Sequence, residues 1–280
     1  LKIESYTYKG VGSLNEDALI INQEAGIFGV ADGVSSLVPY KNKNGHTGGY
    51  LAAHIIKSQF ESLHVCYSLY DQLGRVNHTI REKMHDARIE LSKKEQLWGA
   101  ALAIVQVTEQ GITYIQTGDC MAVVVYRDGH VRPLTISQLS HLEKKGLEKW
   151  KEGVDSGITN REELMAKVKE TLIHNKYMSN TKEGYGVLNG DQDAMAFTEY
   201  GKINQTGITH MILLSDGLFL PEDLIPQYRH YWEYTVDQIL QKGLERYTHE
   251  LIKEEEADAD CVKYPRFKVS DDKAGVVLHF

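Results

Sequence analysis

The sequence predicts an α+β fold with helices packed on antiparallel sheets. Three observations carry this reading. Strand-like segments come in blocks joined by short turns, helical periodicity comes in separate blocks, and no glycine-rich nucleotide loop opens a parallel sheet. The 280 residues are 42% hydrophobic and 25% charged, which suits a globular chain with a core large enough to stand without staples.

Residues 17–22 (DALIIN) and 26–31 (GIFGVA) read as a hairpin turning at residues 24–26. A helix over 47–64 follows, with Leu51, Ile55, Ile56 and Phe60 on one face. The longest apolar stripe is Leu69, Leu73, Val76, Ile80, Met84, Ala87 and Leu91, at helical spacing throughout, and predicts a core-facing helix. From Trp98 the period shortens. Segments 100–107, 112–116, 121–126 and 130–134 form a predicted strand meander, with glycines 111 and 129 in the turns. Residues 137–174 are polar and partly helical, and 183–193 form a glycine-bearing loop. A buried strand over 209–215, one amphipathic helix over 235–253 and a last strand over 275–280 complete the chain.

Lys plus Arg number 31 and Asp plus Glu 39, a net charge of −8. That balance argues against nucleic-acid partners. No apolar run reaches membrane-spanning length, so no membrane association is expected. The opening LKIESYTYKG has no secretory-leader layout and begins without Met, which suggests a trimmed start. Cys66, Cys120 and Cys261 are odd in number and far apart, which predicts a reducing, cytoplasmic setting. The acidic run Glu254, Glu255, Glu256, Asp258 and Asp260 reads as a solvated helix end or loop.

Carboxylates recur at strand ends. Glu16 and Asp17 precede a strand, Asp32 follows one and is followed by Gly33, and Asp119 stands in a turn. Asp216 follows the apolar strand, and Asp271 and Asp272 precede the last one. Buried carboxylates need pairing or a cation, and an all-oxygen set suits Mg²⁺ or Mn²⁺ better than Zn²⁺.

The residues NEDA (15–18), FGVADGVSS (28–36), GDC (118–120), LLSDGL (213–218) and DDKAGVV (271–277) resemble the metal-dependent, type 2C Ser/Thr protein phosphatases, in the family's order and across nearly the whole chain. The resemblance implies a single domain over 1–280, built as a four-layer α-β-β-α sandwich with a variable, mobile flap at about 151–193. It implies a centre of two Mn²⁺ or Mg²⁺ ions. Asp32 would bridge both, and Gly33 would offer its carbonyl to the ion on the Glu16 side. Asp216 and Asp271 would hold the other ion, and Asp17 would hydrogen-bond a metal-held water. Asp119 matches the aspartate of a third, weaker ion in bacterial members, and Asp272 is expected to be structural. The implied reaction is in-line attack by a metal-activated water on a phosphomonoester, with no phosphoenzyme. The implied substrate is a phosphorylated protein, and the protein is expected to be a monomer.

Four departures stand out. Gly12 occupies the place of the family's phosphate-clamping Arg, with Lys9, Lys41 or Lys43 as substitutes. Val34 stands where many eukaryotic members have a proposed acid His, for which His46 is the alternative. Leu220 stands where the third ion is often supported, leaving Glu222 or Asp223. Gly99–Ala100–Ala101 replaces a Gly-Ser-Thr. Two other readings are a small-molecule phosphomonoesterase on the same fold and an inactive phosphopeptide-binding pseudophosphatase.

Overall fold

The structure, a computed structural model, describes residues 1–34 and 36–280. Ser35, in the 28–36 motif, lies outside the described residues. Among the described residues ten strands form two five-stranded antiparallel sheets. One sheet orders as β1 (Lys2–Tyr8), β10 (Lys273–His279), β9 (Ile208–Leu214), β6 (Met121–Tyr126) and β7 (Val131–Pro133). The other orders as β2 (Ala18–Asn22), β3 (Ile27–Val34), β4 (Gly99–Thr108), β5 (Gly111–Thr117) and β8 (Glu199–Ile203).

The period of two in β4 sorts the layers. Ala101, Ala103 and Val105 face the second sheet, where they meet Ala122, Val124, Met211, Leu213, Val276 and Leu278. Ala100, Leu102 and Ile104 face outward under α1 (Gly48–Glu61) and α2 (Leu69–Asp86), against Ile56, Phe60, Leu73, Ile80 and Met84. On the far side, Ile212, Leu214 and Val277 pack under α5 (Tyr231–Lys242) and α6 (Leu244–Ala257), against Val236, Ile239, Tyr247 and Leu251. The result is the four-layer α-β-β-α sandwich that the resemblance implies.

Local chemistry sets the helix ends. Thr47 caps α1 by accepting from the Tyr50 N–H, and Ser68 caps α2 by accepting from the Asp71 N–H. The single helix expected over 235–253 is two. Gly243 takes φ +79°, which only glycine adopts at little cost, and Glu4 Oε1 accepts from the Leu244 N–H at 2.6 Å to start α6.

Three further expectations are corrected. Strands β1 and β8 were absent from the reading; both are edge strands with alternating half-exposed residues. The partly helical stretch expected over 137–174 holds α3 (Ser140–Asp155) and α4 (Arg161–Tyr177), a helical hairpin with a core of Trp150, Leu164, Val168 and Cys261; α4 and the end of α3 thus put helix into the 151–193 segment, where a mobile loop was expected. The acidic run is only partly solvated. Asp258 is buried and bonds Arg266 at 2.7 Å, and Glu255 is buried and pairs with the fully buried Lys273 at 2.9 Å. No helix among the described residues is long and apolar enough to cross a membrane.

Candidate active site

The strand registers bring the acidic strand ends together. Leu214, the last residue of β9, pairs with both Met121 and Gly275. The Asp119 turn, Asp216 and Asp271 therefore project from one end of that sheet. On the facing sheet Asp32 pairs with Ala101 and Gly33 with Ala100 at the same end. Small residues at 99–101 suit this crowded register.

A cleft of about 400 Å³ opens there, and Asp32, Gly33, Asp119, Asp216 and Asp271 line it. The helical hairpin adds Glu143 from α3 and Lys176 from α4, and the 264–268 loop adds Arg266 and Lys268. Asp17 lies buried beneath, accepting from Ser215 Oγ at 2.6 Å. Glu16 stands at the α1 end of the group. Its carboxylate accepts from the Thr47 hydroxyl, and its carbonyl accepts from the Gly33 N–H at 3.2 Å. A Cβ on Gly49 would stand 2.9 Å from the Gly33 carbonyl and 3.0 Å from Glu16 Oε2. Glycine at 49 thus lets these two oxygens share one edge. Asp272, expected to be structural, holds backbone groups of the N-terminal segment. Its two oxygens accept from the Gly10 N–H at 2.8 Å and the Glu16 N–H at 2.7 Å.

The electrostatics are those of like charges in a desolvated place. Burial, reinforced by neighbouring aspartates, holds Asp17, Asp32 and Asp119 well above the usual carboxylate range. Burial and Asp271 raise Asp216 as well. Glu143 is pushed up to about 7, first by burial and then by Asp216 and Asp271. Lysines respond in opposite directions. Burial and the Lys268 charge lower Lys176 to about 8. At Lys268, Asp271, Asp32 and Asp216 outweigh desolvation and push the ammonium up, and its Nζ bonds Asp271 Oδ1 at 2.6 Å.

Among the described residues no three His, Cys, Asp or Glu side chains close into a ligand cage. The donor set nevertheless fits a hard divalent cation. It is all oxygen, and the buried Oδ1 of Asp216 has no hydrogen-bond partner, which is costly unless a cation or proton satisfies it.

Several expected residues lie elsewhere. Lys9, Lys41, Lys43 and His46 are not among the residues that line the cleft. Lys9 is exposed and donates to the Gly12 carbonyl at 3.1 Å, and His46 stacks on Tyr50 with ring centres 4.3 Å apart. Leu220 lines the cleft but Glu222 and Asp223 do not; Glu143 lines it too, and after Asp216 its charge acts on Asp119. Glu143, Lys176 and Lys268 escaped the sequence reading. Only Lys268, three residues before Asp271, had a signal in its position.

Comparisons with known proteins agree with this architecture. The protein phosphatase 2C family profile matches residues 8–253. A search of the curated proteins found no match. Among solved structures, the serine/threonine phosphatase Stp1 from Staphylococcus aureus is 16% identical, with TM-score 0.57, covering 100% of this chain and 95% of that one. PppA, described as a key regulatory component of the type VI secretion system (T6SS) in Pseudomonas aeruginosa, is 17% identical, with TM-score 0.55 and coverage of 100% and 97%. The catalytic domain of the serine/threonine protein phosphatase PstP, solved with two manganese ions, is 17% identical, with TM-score 0.54 and coverage of 99% and 96%. With the profile running through the strand-end carboxylates from Glu16 to Asp216, this chain belongs to the protein phosphatase 2C family.

Proposed function

We propose that the carboxylate cleft is the catalytic centre of this metal-dependent protein phosphatase, and that it binds two Mn²⁺ or Mg²⁺ ions. Asp32 would bridge them. The Gly33 carbonyl and Glu16 would complete one position, Asp216 and Asp271 the other, and Asp119 with Glu143 would favour a third, weaker ion. The observation that carries this reading is the buried Asp216 Oδ1, which has no hydrogen-bond partner among the described residues and sits in a cleft where the candidate donors are all oxygen. Bound cations would neutralise phosphoryl charge and lower the pKa of water at the site.

The chain's own residues do the rest. Asp17, which accepts from Ser215 Oγ, would hydrogen-bond a water held at the site. Asp272 holds the Glu16 backbone by its N–H, so the two chain-distant acidic motifs keep one spacing. The helical hairpin walls one side of the cleft through Glu143, Leu147 and Lys176.

The substrate proposed is a phosphorylated Ser or Thr side chain of a protein, handled by a monomer in the cytoplasm. The free thiols Cys66, Cys120 and Cys261 suit a reducing compartment. The family match favours neither the small-molecule phosphomonoesterase nor the pseudophosphatase.

Hydrolysis of p-nitrophenyl phosphate and of a phosphothreonine peptide, with Mn²⁺, Mg²⁺ or excess EDTA, tests the assignment. Turnover is expected with metal, and EDTA should abolish it. Turnover that survives chelation, or bound Mn²⁺ without turnover of either substrate, would overturn it.

A further inference from the structure

Lys273 opens β10, and it is fully buried. A buried ammonium is costly unless its donors are bonded. The period of two in β10 sets where it points. Ala274, Val276 and Leu278 face the other sheet, so Lys273 faces the α6 layer with Val277. There Nζ donates to Glu255 Oε1 at 3.2 Å, to Ser270 Oγ at 3.0 Å and to the Asp271 carbonyl at 3.0 Å, and Glu255 Oε2 lies 2.9 Å away. Three donors meet three acceptors, and two of those acceptors belong to the segment that carries Asp271.

Stability alone does not account for this lysine. A buried ion pair is often worth no more to a fold than apolar side chains of the same volume, and β10 is apolar from Ala274 to Leu278. An apolar side chain could fill the space, but it could not bond Ser270 and the Asp271 carbonyl. The brace is anchored at its far end. Glu255 stands in the last turn of α6, where Arg266 donates to the Glu255 carbonyl at 2.8 Å and to Asp258 Oδ2 at 2.7 Å. The helix itself packs through Tyr247 and Leu251 on Ile212, Leu214 and Val277. The lysine also lies against the second aspartate's turn. A Cβ on Gly217, next to Asp216, would stand 1.9 Å from the Asp272 carbonyl and 3.1 Å from Lys273 Cγ. The Asp216–Gly217 turn therefore rests on the Asp272–Lys273 backbone.

We propose that Lys273, braced by Glu255, is a positioning residue for the cation position of Asp216 and Asp271: it fixes the backbone from which Asp271 presents its carboxylate. This inference rests on the cleft being the metal centre. Lys273 does not line the cleft, so it acts only through the Asp271 segment and the turn that rests on it. Losing a support of this kind costs about 10- to 100-fold in metal affinity while the ligands themselves remain. The Glu16–Gly33 side has its own supports, the Thr47 hydroxyl and the pairing of Gly33 with Ala100, and should be spared.

The test compares the full chain with Lys273→Met/Glu255→Leu, a change that removes one charge of each sign and keeps the interior filled. Titration calorimetry reads Mn²⁺ affinity at each site, scanning calorimetry the metal-free Tm, and hydrogen exchange the metal-free 268–272 segment. The expected result is one Mn²⁺ site weakened about 10-fold or more, with the other within about 3-fold of the parent. Tm should stay within about 3 °C, and exchange should quicken at 270–272 but not in α6. Lys273→Met/Glu255→Gln, also charge-neutral, takes the same measurements if the first variant does not fold. Both sites within 5-fold of the parent would overturn the proposal. So would a joint loss at both sites that follows a fall in Tm, because that marks a lysine that only holds the fold. A parent chain that binds no Mn²⁺ would instead refute the metal centre itself, and this inference with it.

Discussion

Replacing Asp32 with Asn removes one charge and keeps the volume. The charges of Asp17, Asp216, Asp119 and Asp271 all act on Asp32, so the change should act in opposite senses with and without metal. In the metal-free protein it relieves like-charge repulsion, and Tm should rise. With Mn²⁺ the parent should gain RT ln(1 + [L]/Kd), about 4 kcal/mol for one ion at a thousand times its Kd. For 280 residues the unfolding entropy is about 0.6 kcal/mol/K, so the parent's Tm should climb by about 7 °C. In Asp32→Asn the shift should shrink below about 2 °C and turnover should fall at least about 1,000-fold, since one charge of the bridging set is gone. Differential scanning calorimetry with and without Mn²⁺, beside a p-nitrophenyl phosphate assay, reads both. An Asp32→Asn protein that keeps the full Mn²⁺ shift and its turnover would refute the idea that Asp32 joins the two halves of the site.

Lys273→Met strands the Glu255 carboxylate in the interior and should lower stability by about 3–5 kcal/mol in urea unfolding, with the double change Lys273→Met/Glu255→Leu recovering most of it. Gly33→Ala puts a Cβ 2.6 Å from the Gly49 backbone; α1 must move off β3, and Mn²⁺ affinity by calorimetry should drop at least 10-fold. Trp150→Ala empties the flap core and breaks the indole bond to the Cys261 carbonyl, 2.8 Å long; hydrogen exchange should quicken in α3 and α4, with a loss of about 3–5 kcal/mol where the flap unfolds with the rest. Glu143 ionises with a folded pKa raised to about 7 from 4.5, so its burial penalty is absent below pH 4.5 and complete above about 7. The metal-free protein should therefore gain Tm as pH is lowered from 8 to 5, and a flat or falling Tm would count against a buried Glu143.

Much of the candidate site was legible because its carboxylates stand at strand ends, and strand and acid are both local signals. Asp32–Gly33 and Asp216–Gly217 each follow a continuous apolar run, so both strand and acid can be read from adjacent residues. Asp272 was also readable as structural. What stayed hidden depends on partners far along the chain. Lys2–Tyr8 reads as a weak strand because an edge strand carries only half a buried face. Residues 235–253 carry one unbroken apolar stripe, and the break at Gly243 is fixed by Glu4, 240 residues away. Glu255 and Asp258 look like a solvated acidic run until Lys273 and Arg266 arrive from the following loop and strand. Lys176 and Glu143 enter the cleft only because two flap helices pack on each other, a tertiary fact with no local signature.

The pairing of β1 with β10, and the grip of Asp272 on the backbone of residues 10 and 16, also bear on synthesis. A ribosome delivers Glu16, Asp17 and Asp32 early, but Asp272 and the strand that pairs with β1 emerge more than two hundred residues later. A nascent chain stalled before residue 271 would hold half of the acidic group with nothing to set its geometry. Release before residue 271 should therefore yield a fragment without hydrolytic activity rather than an unregulated one.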